Sequence, residues 1–195
     1  MDKKRKKFRF EFKIVPVPGD GHCFFRSVVQ ALRYDTCGHQ KTENHQIADL
    51  RRELARLAAS TFKKSFTKMI DETVSLCYSA PGVDCYLSST PIDYSFDRDK
   101  KFDMSLYTRA LVETNTFASF IEVELTRKLL KNHGIALVVV PSEKSLYDSK
   151  DWTQTLKKVL GSRRHERMLV LLNHDGAHYS WVLVNSVALL GVSPP

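Results

Sequence analysis

Apolar residues recur along this chain with two periods, and the switches between them divide it into strands and helices. Residues 12–17 read as a short strand, stopped by Pro16, Pro18 and Gly19. Gly19-Asp20-Gly21-His22 is a turn, and from Cys23 the period becomes helical, with Phe24, Phe25, Val28, Val29 and Leu32 on one broad face. A second helix is predicted over 45–60, where Ile47, Leu50, Leu54 and Leu57 recur and Asn44 serves as N-cap. A third follows over 62–78, with Phe66, Met69, Ile70 and Cys77 turned inward. Residues 79–104 carry Pro81, Gly82, Pro91 and many Ser and Asp, and read as a loop or insert. Helical spacing returns over 104–113 and again over 117–132, where Gly134 provides the stop. Residues 135–140 are a continuous β-branched run of the kind found in buried strands. A short helix over 152–160 precedes two strands, 168–172 and 179–184, joined as a hairpin through the polar turn 173–177.

These elements describe a helical block packed on a small sheet near the C-terminal half, an α+β arrangement or α/β sandwich. A length of 195 residues fits one domain with one core, placed at 12–190 behind a basic tail at 1–11. The 43% hydrophobic and 27% charged shares are those of a globular chain in water. The longest apolar run, 135–140, is too short to cross a bilayer, and the charged first residues lead into no apolar segment, so no secretory signal is expected. Four cysteines, at 23, 37, 77 and 85, form no Cys-x-x-Cys pair, which argues for reduced thiols in a cytosol-like compartment. Cys37, His39 and His45 are close in sequence but lack ligand-pair spacing, so neither metal nor another cofactor is expected. The net charge of +8 owes much to Lys3, Lys4, Arg5, Lys6, Lys7 and Arg9. The plain reading is a solvated tail. Nuclear import, or a patch for nucleic acid or anionic lipid, is the sharper one. Nucleic acid is a weak alternative, because no base-reading motif interleaves the charges with aromatics.

Two residue types carry possible chemistry. A helix N-terminus lowers a thiol pKa through its unpaired N–H groups and its dipole, and a nearby imidazole adds to the effect. Cys23 meets the first condition, and the glycine-bearing loop before it offers N–H groups for an oxyanion hole. On helix position alone, an inert buried cysteine opening a core helix is the favoured reading. Seven histidines, at 22, 39, 45, 133, 165, 174 and 178, are candidates for the imidazole. His22 adjoins Cys23, but side chains leaving a turn at neighbouring positions diverge. His45 and His165 suit a surface, and His133 suits a helix C-terminus. His174 and His178 flank the hairpin turn, and a base at the start of a strand can be held rigidly against a helix-borne thiol.

Pro18-Gly19-Asp20-Gly21-His22-Cys23-Phe24-Phe25-Arg26-Ser27-Val28 resembles the nucleophile motif of the ovarian-tumour (OTU) family of cysteine-protease deubiquitinases. Asn173-His174-Asp175-Gly176-Ala177-His178-Tyr179 is similar to that family's late His-Tyr segment. Thr116-Phe117-Ala118-Ser119-Phe120-Ile121-Glu122-Val123 is similar to its middle block, with Phe117 where tryptophan is usual. That exchange looks conservative for packing. The three blocks stand in the family's order across nearly the whole chain.

The resemblance implies a papain-like thiol hydrolase that cuts isopeptide bonds at the C-terminus of ubiquitin. Cys23 would be the nucleophile and His178 the base, with Asp20 shaping the oxyanion loop alongside the backbone of Gly21, His22 and Cys23. One departure concerns the group that orients the base. The family carries Asp or Asn two residues after the histidine, and here that residue is Ser180, with Glu11 and Asn173 as other candidates. Ubiquitin or polyubiquitin, and ubiquitin-like proteins, are the implied partners of a monomer in cytoplasm or nucleus, or in a host cytosol for a pathogen effector. The helix at 45–60 and the segment 79–104 are the candidates for the recognition surface. A ubiquitin-binding module without turnover, a basic nucleic-acid-binding protein and another papain-like hydrolase are the competing classes.

Overall fold

The computed structural model describes residues 8–34, 42–61, 90–91, 94, 98, 101–113, 116–142, 154, 156, 167–174 and 178–188. The elements in chain order are β1 (Phe8–Val15), α1 (Cys23–Tyr34), α2 (Glu43–Thr61), α3 (Met104–Glu113), α4 (Phe120–Asn132), β2 (Ile135–Ser142), β3 (Arg167–His174) and β4 (His178–Ala188). The predicted helix over 62–78, most of the insert over 79–104, and Cys37, His39, Cys77 and Cys85 lie outside the described residues.

The fold is α+β, with helices packed on a four-stranded sheet of order β1-β4-β3-β2. The β3–β4 hairpin forms as expected, antiparallel, with His174 opposite His178 and Leu172 opposite Ser180. β2 runs parallel to β3, and β1 runs antiparallel to β4 along its whole length. Side chains alternate across a strand, so the sheet presents two faces. On one, Leu169, Leu171, Tyr179 and Trp181 join Phe24, Phe25 and Val28 of α1 and the other helices in the main core. On the other, Val170, Leu172, Val182 and Val140 enclose Leu156 in a second core. β3 is buried on both faces, which is why residues 168–172 are uniformly apolar.

Several element boundaries differ from the sequence pattern, and three of the starts differ for a local reason. β1 starts at Phe8, so residues 8–11 of the expected tail are ladder partners of β4. Helix α2 starts at Glu43, because the Thr42 hydroxyl accepts from the N–H of His45 at 3.4 Å; Thr42, not Asn44, is the cap. Helix α4 starts at Phe120, because Ser119 and Glu122 form a reciprocal capping box. Ser119→Ala is expected to lower stability by about 1 kcal/mol, read as a lower urea midpoint at unchanged slope. Gly134 has φ of +70° after the last turn of α4, the left-handed conformation a helix stop requires.

Candidate active site

The turn before Cys23 is built on an aspartate. Asp20 accepts the backbone N–H of His22 at 3.1 Å, a two-residue loop that the turn residue makes with its own chain. Its other oxygen accepts from Arg26 at 2.5 Å. Burial alone would raise the Asp20 pKa, but the His22 N–H and the Arg26 guanidinium outweigh it and hold the carboxyl below its ordinary value. Gly21 is buried and has φ of +79°, so the turn needs a residue without Cβ there. His22 is the last non-helical residue, since its carbonyl accepts the first helical bond, from Arg26 at 2.7 Å. Cys23 therefore opens α1, as the sequence suggests.

Cys23 is only 2% exposed. Burial pushes its thiol pKa up, against the pull of the backbone N–H groups of Tyr179, Phe24 and Cys23 itself, and the Asp20 charge pushes the same way as burial. The helix terminus thus fails to outweigh desolvation. The contact with the Tyr179 backbone puts the sulfur beside the start of β4. His178 stands there with its ring against the loop: a Cβ built on Gly19 would lie 3.6 Å from Nδ1 and 3.8 Å from Cε1. Those are ordinary van der Waals distances, so Gly19 lies directly beside the imidazole.

One aromatic contact joins the elements that carry Cys23 and His178, and a second braces it within α1. Phe24 meets Tyr179 edge-to-face at 5.0 Å and Phe25 likewise at 5.3 Å. Each aromatic of the Phe24–Tyr179 pair follows a candidate functional residue, so the pair fixes the helix start against the strand start. Further along, the Trp181 indole donates to Gln30 at 3.1 Å, and Gln30 donates to Glu43 at 2.9 Å. Arg26 also pairs with Glu43, which ties α1 to the first turn of α2.

Arg51 is the residue that sequence reasoning missed. It lies on α2, is 2% exposed, and stacks over the Phe25 ring at 4.0 Å. It donates to the carbonyls of Gly21 at 3.4 Å, Leu111 at 3.1 Å and Thr116 at 2.7 Å, and to the Thr116 hydroxyl at 3.3 Å. Nδ1 of His22 lies 3.1 Å from the same guanidinium; because arginine only donates, Nδ1 accepts and the His22 proton sits on Nε2. Burial lowers the Arg51 pKa to about 10, against the opposing charges of Glu122 and Asp20, so it stays cationic at neutral pH. One side chain therefore joins the turn before Cys23 to the Thr116–Val123 block.

That block is structural. Glu122 accepts from the backbone and hydroxyl of Ser119, both at 2.6 Å, and from the Tyr107 hydroxyl. Burial raises its pKa, while those bonds partly offset the rise. Phe117 is exposed, so packing does not explain the aromatic at that position.

The orienting candidates separate clearly. Ser180 is buried, and its hydroxyl lies 3.0 Å from Nε2 of His174. Asn173 stands opposite Tyr179 and donates to its hydroxyl at 3.4 Å, on the sheet face away from His178 and Ser180. Glu11 pairs with Asn185, far along β4 from His178, and is excluded as the orienting group. Of the remaining histidines, His45 and His133 are exposed. Among the described residues, no group of three His, Cys, Asp or Glu could hold a metal ion, and no helix is long and apolar enough to cross a membrane.

No family model and no curated protein matches the chain. Among solved structures it is similar to the viral OTU domain protease from Qalyub virus, at 17% identity and TM-score 0.47 over 92% of this chain and 91% of that one. It is also similar to the Hazara virus OTU bound to ubiquitin, at 13% identity and TM-score 0.46 over 95% of each chain.

Proposed function

We propose that this protein is a cysteine-type deubiquitinase, with Cys23 as nucleophile and His178 as base. The observation that carries the chemistry is the seating of Cys23 at the start of α1, beside the Tyr179 backbone, with the Nδ1 edge of His178 turned to the same loop. Ubiquitin as substrate rests on the motif resemblance at residues 18–28 and 173–179.

In this reading the buried thiol gives its proton to Nδ1 of His178 as sulfur attacks the carbonyl of ubiquitin's C-terminal glycine. The oxyanion is met by backbone N–H groups at the turn. The His22 N–H donates to Asp20, and the N–H of Cys23 is the proposed oxyanion donor. Collapse expels the lysine amine, which takes the proton from His178 and leaves a thioester. Water, deprotonated by His178, then releases ubiquitin's carboxylate and restores the thiol. Asp20, locked by His22 and Arg26, shapes the turn and does not touch the reacting atoms. Cytosol and nucleus are the proposed sites of action.

The test is a ubiquitin probe with a C-terminal electrophile. Expected is one covalent adduct, mapped to Cys23 and absent after His178→Ala; unmodified wild-type protein would refute the enzyme reading. A ubiquitin-binding module without turnover is the second reading, favoured by a hydroxyl at residue 180 where the family has a carboxylate or amide. It expects binding without an adduct.

A further inference from the structure

We propose that His174 is a positioning residue for His178, acting through Ser180, so that a hydroxyl–imidazole pair takes the place of a single orienting carboxylate. The inference rests on the reading of His178 as the base.

Hairpin register puts the three residues together. His174 is the direct antiparallel partner of His178, and their rings lie 5.5 Å apart at an interplanar angle of 34°. Ser180 follows His178 by two residues on β4, so both side chains leave the same face of the sheet. Its hydroxyl, in a residue 2% exposed, lies 3.0 Å from Nε2 of His174. The Nδ1 edge of His178 faces Gly19, which leaves Nε2 on the opposite edge of the ring.

A serine hydroxyl has one proton and two lone pairs. Alone it is a poor orienting group, because its proton can point at the imidazole as easily as away from it. A neutral His174 removes that freedom. Its Nε2 accepts the Ser180 proton, and the oxygen is then left to accept from Nε2–H of His178. Donating one bond polarises the hydroxyl and strengthens its other bond as acceptor. The chain His178 → Ser180 → His174 would fix the ring so that Nδ1 faces the thiol, and it places a polarised oxygen beside the imidazolium that forms when Cys23 loses its proton. The other candidates are committed elsewhere: Asp20 to Arg26 and His22, Asn173 to Tyr179.

The experiment measures kcat and KM of the full chain on ubiquitin bearing a C-terminal fluorophore. His174→Phe is expected to lower kcat about tenfold with KM within about twofold, the signature of an interaction felt in the transition state. Ser180→Ala should show the same loss, and combining the two should add nothing, because both break one chain. In a Ser180→Asp background a carboxylate contacts His178 directly, so adding His174→Phe should cost less than about twofold. Wild-type kcat in His174→Phe, or the same loss in the Ser180→Asp background, would overturn the proposal. Melting curves establish that each variant is folded; His174→Ala replaces His174→Phe if phenylalanine is not tolerated. Failure of the parent reading looks different, since wild-type protein would then form no adduct with the electrophilic probe.

Discussion

Cys23→Ala is expected to fold, to keep its affinity for ubiquitin and to lose turnover by roughly 10⁴-fold or more, as removal of a covalent nucleophile does. The structure separates these effects. Cys23 has 2% of its surface exposed, so its replacement deletes one buried sulfur from the α1 end of the core. That change costs about 1 kcal/mol, small against the stability of a domain. Phe24 and Tyr179, which join the helix to β4, remain in place. The chemical loss is far larger because, in the proposed mechanism, the Cys23 thiol both gives its proton to His178 and forms the bond to carbon. Cleavage of a linked diubiquitin and calorimetric binding of ubiquitin, run on the same preparation, read the two effects. Cleavage at an undiminished rate would remove Cys23 from the mechanism.

Arg51→Met is expected to destabilise the fold by about 3–5 kcal/mol, although methionine keeps apolar contact with Phe25. Loss of the guanidinium strands the buried carbonyls of Gly21, Leu111 and Thr116, and each stranded acceptor carries about 1–3 kcal/mol of desolvation penalty. It also removes a positive charge that interacts with the buried Glu122. Arg51→Lys is not expected to rescue, because one ammonium on a flexible stem cannot span acceptors that a planar fork reaches together. Urea unfolding measures the loss, and activity well below the midpoint tests the Gly21–His22 turn separately. An unchanged midpoint in Arg51→Met would show that this side chain does not bind the turn to the Thr116 block.

Most of the sheet and the start of α1 were legible because they depend on local periodicity. Helix α3 and the β3–β4 hairpin match their apolar patterns closely. What escaped was legible in principle but masked by neighbouring residues. Arg51 falls four residues after Ile47 and three before Leu54, on the apolar stripe of α2, where a charged residue signals a buried partner set. Ser119 and Glu122 have capping-box spacing, yet Phe117 and Ala118 drew the helix start earlier. Phe8, Phe10 and Phe12 alternate with charges as an edge strand does, but the basic run before them reads as tail. The geometry around His178 was out of reach for another reason. Cross-strand register decides which histidine faces which hydroxyl, and no short-range pattern encodes it.

The pairing of β1 with β4 also bears on how the chain is made. During synthesis β1 leaves the ribosome well before its ladder partner. At about 5–20 residues per second, β1 waits on the order of ten seconds or more before β4 emerges. An aromatic-rich strand kept waiting is a template for pairing with other chains, and flanking charge is the usual guard against it. Lys3 to Lys7, with Arg9 and Lys13 in the strand itself, supply such a guard. Cys23 follows β1 and His178 opens β4, so the nascent chain carries the proposed nucleophile without the proposed base until β4 is made.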